Sequence, residues 1–358
     1  MRYEGSMTAA HVPAAIRGCL VRWWTWLALA SCLPSSLPAQ ADDVPILSQT
    51  VRGLQAEEAA LTQQVEQLAD GQRLLSLAAV VAGTKAPQPR ALRLASPRTT
   101  ELTPTALAAQ ARAGLLRVGW CYLCADCDHW HTAMGAGYAI TADGAIVTCA
   151  HVVDPPPQPM RRGGLVAVLA DGTVHPVKGV LAFDPTMDAA ILDLQQPTSP
   201  QSLATEARPG DLAYCCSRPL EQRDYFAAGL INRFYLDHDV APEHGRGTLP
   251  HAAAVRMDVG LPWAPGSSGA ALFDGRGNVI GHASEIRTLC DGLPVPGMPE
   301  DEANAPGEPP GTEAEPAAPA TLDDLEAMRT LLTLHVAIPA RGVQLLAAQA
   351  NAAAGTAK

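Results

Sequence analysis

The stretch Ala264-Pro265-Gly266-Ser267-Ser268-Gly269-Ala270-Ala271-Leu272 decides how this chain is read. A serine stands between two glycines, after a Pro-Gly turn and just ahead of an apolar run. A glycine two residues before a serine lets the backbone aim its N–H groups at one point, where the amides of Gly266 and Ser268 would hold a developing oxyanion. A serine hydroxyl is a poor nucleophile until an imidazole accepts its proton, and the imidazole in turn needs a carboxylate to fix its tautomer. Both partners lie upstream. Gly135-Ala136-Gly137-Tyr138-Ala139-Ile140 leads to Thr148-Cys149-Ala150-His151-Val152-Val153, and Phe183-Asp184-Pro185-Thr186-Met187-Asp188-Ala189-Ala190-Ile191-Leu192 follows. His151, Asp188 and Ser268 are the candidate catalytic residues.

The surrounding texture is one of short apolar runs separated by turns. Leu115–Cys121, Tyr138–Ile140, Ala145–Thr148, Leu165–Leu169 and Ala189–Leu194 read as strands, as do Leu212–Cys216, Ala253–Val259, Ala270–Phe273, Val279–Ala283 and Leu334–Ile338. Ala142-Asp143-Gly144, Asp171-Gly172 and Asp274-Gly275-Arg276-Gly277 supply turn chemistry between them. Many short strands at this spacing predict an antiparallel barrel or sandwich. Arg341 to Ala348 reads as a terminal helix.

In this order the segments resemble the trypsin-like serine peptidases, and the HtrA (high-temperature-requirement) branch in particular. The resemblance runs from about Leu115 to Leu346. It rests on the order of His151, Asp188 and Ser268, on Asp188-Ala189-Ala190-Ile191-Leu192, on Gly210-Asp211-Leu212 leading to Arg218-Pro219, and on Val336-Ala337-Ile338-Pro339 before a helix. It implies a mostly β fold of two antiparallel six-stranded β-barrels, the chymotrypsin/trypsin-like fold, with a helical segment before it and a helix after it. The peptidase domain would span 106–352, with the first barrel at about 112–200 and the second at about 208–340. It further implies a serine endopeptidase that hydrolyses peptide bonds of protein or peptide substrates through an acyl-enzyme on Ser268, with no cofactor. The other reading is a catalytically silent protease fold serving as a binding or scaffold protein of the cell envelope.

The resemblance places one wall of the substrate pocket at Pro262, Trp263 and Ala264. That segment carries no acid, so an apolar P1 residue is expected rather than Arg or Lys. Ser267 stands where zymogens of the family use Asp and HtrA members Asn, which argues against activation by a newly freed N-terminus. No PDZ module is expected after the barrel.

The ends and the charge complete the reading. Arg17 and Arg22 precede the apolar run Trp23–Ala30, and Ala39-Gln40-Ala41 is a small-residue cleavage site, so 1–41 reads as an export signal and the protein as periplasmic or secreted. Leu29-Ala30-Ser31-Cys32 also matches a lipobox, and membrane attachment is expected only if Cys32 is lipidated. Residues 42–81 read as helical. Within them, 46–77 carries an apolar seam that suits either a coiled coil, and with it a homo-oligomer, or a helix packed on the body. Residues 82–105, rich in Pro, read as a linker. The net charge of -11 argues against a nucleic-acid partner. Ten acids and no base lie between Arg287 and Arg329, and 291–320 reads as a disordered acidic insertion.

Nine cysteines occur, with Cys121-x-x-Cys124-x-x-Cys127 followed by His129 and His131. Such spacing suits zinc, whereas export favours disulfides. No metal ligand is assigned and no disulfide pair is fixed.

Overall fold

The computed structural model describes residues 50–237, 253–290 and 330–356, all within one compact unit. The export signal, Cys32 and the acidic insertion lie outside the described residues.

The first half of the fold is a seven-stranded antiparallel sheet. Its strands are β1 (Leu116–Cys124), β2 (Trp130–Ala139), β3 (Ala145–Thr148), β4 (Met160–Val168), β5 (Val174–Pro176), β6 (Gly179–Asp184) and β7 (Ala189–Asp193), in spatial order β5-β4-β1-β2-β3-β7-β6. The second half closes as a six-stranded barrel made of β8 (Leu212–Ser217), β9 (Tyr225–Leu236), β10 (Val255–Val259), β11 (Ala271–Phe273), β12 (Val279–Cys290) and β13 (Thr330–Pro339). The expectation of two barrels thus holds in full for the second half, while the first is a half-barrel sheet with β5 and β6 at its edges. The short β5 carries no apolar run; β6 does, at Val180–Phe183, and the sequence reading passes over it.

Each half has its own core. Trp120, Ile146, Leu165 and Leu192 fill the first, and Met257, Leu261, Leu272 and Ile280 the second. A third cluster joins the halves through Leu107, Tyr138, Met187, Leu203 and Phe273, and is closed by Val343 and Leu346 of the terminal helix α5 (Ala340–Thr356). That helix runs past Ala348 because the Ala-rich sequence beyond it has high helix propensity. The one-turn helix α4 (Ala150–Val153) follows β3.

The apolar seam of the N-terminal segment has a definite use. Helix α1 (Val51–Asp70) starts at Thr50, whose hydroxyl accepts from the Gly53 amide. Its Leu61, Val65 and Leu68 are buried, the first two against Cys121, Val166 and Val168 of β1 and β4. The seam therefore packs on the chain's own sheet, the second of the two sequence readings, and these residues are not free to form a coiled coil. A second helix, α2 (Leu77–Lys85), buries Val80 in the first core.

The Pro-rich segment 82–105 is no free linker. The Gln88 amide donates to Val180 O at 2.9 Å, Leu92 exchanges hydrogen bonds with the Asn351 side chain, and the Leu102 amide donates to Gly275 O at 2.9 Å. Arg90 pairs with Asp143 and Asp193. Proline denies this stretch regular hydrogen bonding, but buried Leu92 anchors it as a strap across both halves. Helix α3 (Pro104–Gly114), capped by Thr103 with Pro at its first turn, then enters the sheet.

Candidate active site

The three residues picked from sequence sit on three different elements. His151 lies on α4, where Cys149 is the N-cap residue and Thr148 Oγ1 donates to Ala136 O at 2.7 Å. Asp188 ends the turn between β6 and β7. In that turn Asp184 Oδ1 accepts from the Met187 amide at 2.9 Å, and the Asp188 amide donates to Pro185 O at 3.2 Å. Asp188 itself has φ of 54°, a left-handed conformation that a non-glycine residue adopts only when its surroundings enforce it. Two neighbours do so. Buried Arg256 reaches from the second barrel to donate to Thr186 O at 2.7 Å, and Gly342 of α5 packs so closely on Met187 that a Cβ would stand 2.9 Å from its sulfur.

The His151–Asp188 pair is formed. His151 Nδ1 lies 3.0 Å from each Asp188 carboxylate oxygen, and the His151 amide donates to Oδ1 at 3.1 Å. Ser284 Oγ donates to Oδ2 at 2.5 Å. Burial alone would push the Asp188 carboxyl up. The hydrogen bond and charge of His151, the Ser284 hydroxyl and the His151 amide outweigh it and hold the carboxyl at about 2. Burial likewise pushes His151 down, but Asp188 outweighs it, with help from Asp154 and Glu285, so the imidazole is raised above its usual range.

His282 supports the Asp188 backbone. Its Nε2 stands 3.2 Å from Asp188 O, so the ring proton must be on Nε2 for that bond. Complete burial drives its pKa down to about 4, against the pull of Asp188, and the ring is neutral near pH 7. Ser284 and His282 were not singled out from sequence. Both lie on β12 just after Gly281, and nothing local marks a small polar residue and a histidine on a strand as carboxylate partners.

Ser268 occupies a sharp turn that only glycine permits on either side. Gly266 and Gly269 have φ of 97° and 90°. A Cβ on Gly266 would stand 2.7 Å from Arg218 O, and one on Gly269 would stand 2.2 Å from Ala136 O. The turn is locked to both halves, because the Ala136 amide donates to Ser268 O and the Gly269 amide to Ala283 O, each at 2.7 Å. Neither the Gly266 nor the Ser268 amide donates to a described residue. The Ser268 hydroxyl points to Ser284 O at 3.4 Å, and among the described residues it makes no hydrogen bond to His151.

Of the three residues expected to form the pocket wall, Trp263 is a core residue. Trp263 is only 6% exposed and belongs to the second barrel's core, with its indole N–H donating to Glu285 O at 3.2 Å and its ring edge-on to His335 at 5.1 Å. A large indole gains more from burial than from solvent contact. The neighbours of Trp263 differ, Pro262 being exposed and Ala264 half-buried. A cavity of about 740 Å³ lies elsewhere, lined by Arg98, Leu203, Asp211 and Asp274 among others.

Comparison with known proteins agrees with this architecture. Residues 135–281 match the family model described as "Trypsin-like peptidase domain". Relatives include "Putative serine protease HhoA" of Synechocystis sp., 27% identical over 176 residues, which are 48% of this chain and 41% of that protein. "Serine protease HTRA2, mitochondrial" of Bos taurus is 29% identical over 153 residues, 41% of this chain and 30% of the relative. "Probable periplasmic serine endoprotease DegP-like" of Ectopseudomonas mendocina is 25% identical over 164 residues, 45% and 31%. The chain spans less than half the length of each of these relatives.

Proposed function

We propose that the chain, whose residues 135–281 match a trypsin-like peptidase domain and resemble HtrA-type relatives, is a serine endopeptidase with Ser268 as nucleophile, His151 as base and Asp188 as orienting carboxylate. The observation that carries this reading is the His151–Asp188 pair, which leaves Nε2 of the imidazole as the free acceptor. Asp188 holds the proton on Nδ1. Nε2 takes the Ser268 proton as Oγ attacks the scissile carbonyl. The amides of Gly266 and Ser268, unspent on other described groups, receive the oxyanion, a role in which loss of one donor costs about 100- to 1000-fold. The leaving amine then takes the proton from His151, and water repeats the sequence to free Ser268.

For the first step the Ser268 hydroxyl must turn from Ser284 O toward His151, a change in one side-chain torsion. Catalytic hydrogen bonds of this kind commonly tighten only when substrate arrives. The same feature is what the silent-scaffold reading draws on, and one experiment separates the two. A fluorophosphonate probe should label the wild-type protein and fail to label Ser268→Ala. Absence of labelling in the wild type, with or without protein substrate, would sink the peptidase reading. The substrates are proteins with an apolar P1 residue, met outside the cytoplasm after export directed by residues 1–41. Among the described residues no helix is long and apolar enough to cross a membrane.

A further inference from the structure

The hairpin joining β1 to β2 carries a second cluster of reactive side chains, on the far stretch of β2 from the residues that touch Ser268. The sulfurs of Cys124 and Cys127 and a ring nitrogen of His131 all lie within 4.8 Å of one another. Cys127 Sγ stands 3.1 Å from His131 Nε2. A tetrahedral zinc with Zn–S of about 2.3 Å and Zn–N of about 2.0 Å has an S···N edge of about 3.5 Å, close to what the hairpin presents.

Of the five Cys and His residues in this stretch, the fold selects three. Side chains alternate along a strand, so Cys121 faces away from Cys124. It is buried against Leu61 and Val65 of α1 and has no access to the cluster. His129 is exposed, and among the described residues its carbonyl alone is engaged, accepting from the Cys124 amide at 2.9 Å to close the turn.

The thiolate, not the thiol, is the form that binds metal, and the turn between β1 and β2 brings the two cysteines to the same side. Asp128, at φ of 59°, completes the reversal and is paired with Arg161 of β4. His131 is held on its other side as well, since its ring stacks on Tyr122 at 5.6 Å and the Tyr122 hydroxyl donates to Gln158 at 2.6 Å. A ligand ring oriented by its surroundings is what metal sites require beyond their ligands.

We propose that Cys124, Cys127 and His131 form a binding site for a borderline-soft divalent metal such as zinc, with the fourth position left to water or an exchangeable ligand. Binding releases the two thiol protons and leaves His131 neutral with Nε2 on the metal. Two thiolates balance the dication, and the metal clips the β1–β2 hairpin at its tip. The competing fate of the same residues is a Cys124–Cys127 disulfide, which cannot coexist with the site.

The test is elemental analysis and zinc titration of the purified full chain under mild reduction, beside Cys127→Ser, His131→Ala and His129→Ala. Expected are about one equivalent of zinc in the wild type and in His129→Ala, and loss of at least tenfold in affinity in the other two. Cobalt should give a thiolate charge-transfer band that Cys127→Ser removes. Cys127 is exposed and His131 half-buried, so these variants should fold, and unfolding curves without metal will check that. Zinc should raise the Tm of the wild type and leave that of Cys127→Ser unchanged. No zinc bound, equal zinc in wild type and Cys127→Ser, or a Cys124–Cys127 disulfide in protein taken from its native compartment would each overturn the site. None of these readouts depends on peptidase activity.

Discussion

Two clusters in this molecule are built from the same ingredients, one cysteine-histidine set in the cleft and another on a hairpin, and their surroundings give them opposite chemistry. In the cleft, Cys149, His151 and Asp188 converge; on the hairpin, Cys124, Cys127 and His131 do. Cys149 is fully buried, and burial, followed by the charge of Asp188, pushes its thiol well above the usual range. Around Cys124 the amides of Cys127 and Asp126 act in the other direction and lower the thiol, against a smaller burial effect. His151 is paired with a carboxylate and is raised, whereas His131 faces a sulfur. A carboxylate partner suits an imidazole to act as a base, and thiol partners suit it to act as a ligand. Residue type alone predicts neither role.

The largest expected effect lies at the carboxylate. Asp188→Asn should keep the fold and lower kcat of peptide hydrolysis by about 10⁴-fold, because an amide selects the wrong tautomer of the imidazole. A loss under tenfold would dissolve the contrast between the clusters. Ser284→Ala removes one charge-assisted hydrogen bond to Asp188. Such bonds contribute about 1.5–3 kcal/mol, so kcat should fall by roughly 10- to 100-fold with KM little changed.

The pH dependence has two limbs of different origin. The proposed mechanism needs neutral His151, whose pKa is raised above 6.5, so kcat/KM should climb with pH through a midpoint above 6.5. Stability behaves otherwise. The Asp188 carboxyl is held at about 2, below its ordinary 3.8, so its ionised form favours the folded state. That contribution, on the order of 2 kcal/mol, is present above about pH 4 and lost as pH falls through about 2. Urea unfolding of wild type and Asp188→Asn should therefore differ at pH 7 and converge toward pH 2. Equal stability of the two at pH 7 would remove the basis for this limb.

How much of this was legible depends on whether the signal was local. Gly266 and Gly269 mark the Ser268 turn in sequence because positive φ beside crowded carbonyls admits nothing else. All ten apolar runs taken as strands fall on strands. Strand β9 was missed, since much of it is exposed and Gly229 and Asn232-Arg233 interrupt its apolar residues. Ser284 and His282 were invisible for a different reason. Their partner Asp188 is about a hundred residues away, and pairing at that distance leaves no mark on neighbouring residues. The hairpin spacing was legible, but its alternatives were not separable. Only the strand alternation that sends Cys121 inward, and the turn that directs His129 away, leave three donors together.

The smallest expected effect is also the sharpest test of the comparison, because among the described residues Cys149 is the cysteine that would make the cleft a thiol site. It stands two residues from His151, and a cysteine beside a carboxylate-paired histidine is the arrangement of a thiol nucleophile. Three facts oppose that role: the residue has no exposed surface, its Sγ donates to Ala283 O at 3.2 Å, and Asp188 disfavours the thiolate. With the proton held and no path for reagent, iodoacetamide should leave the peptidase activity of folded protein within about twofold of its starting value, the fall set by reactivity that follows the thiolate fraction and access. Cys127, exposed on the hairpin, should be alkylated under the same conditions, and zinc should protect it. Peptide mapping by mass spectrometry reads both sites in one sample. Rapid alkylation of Cys149 with parallel loss of activity would show that the cleft, and not the hairpin, carries the reactive thiol, and would move the nucleophile from Ser268 to Cys149.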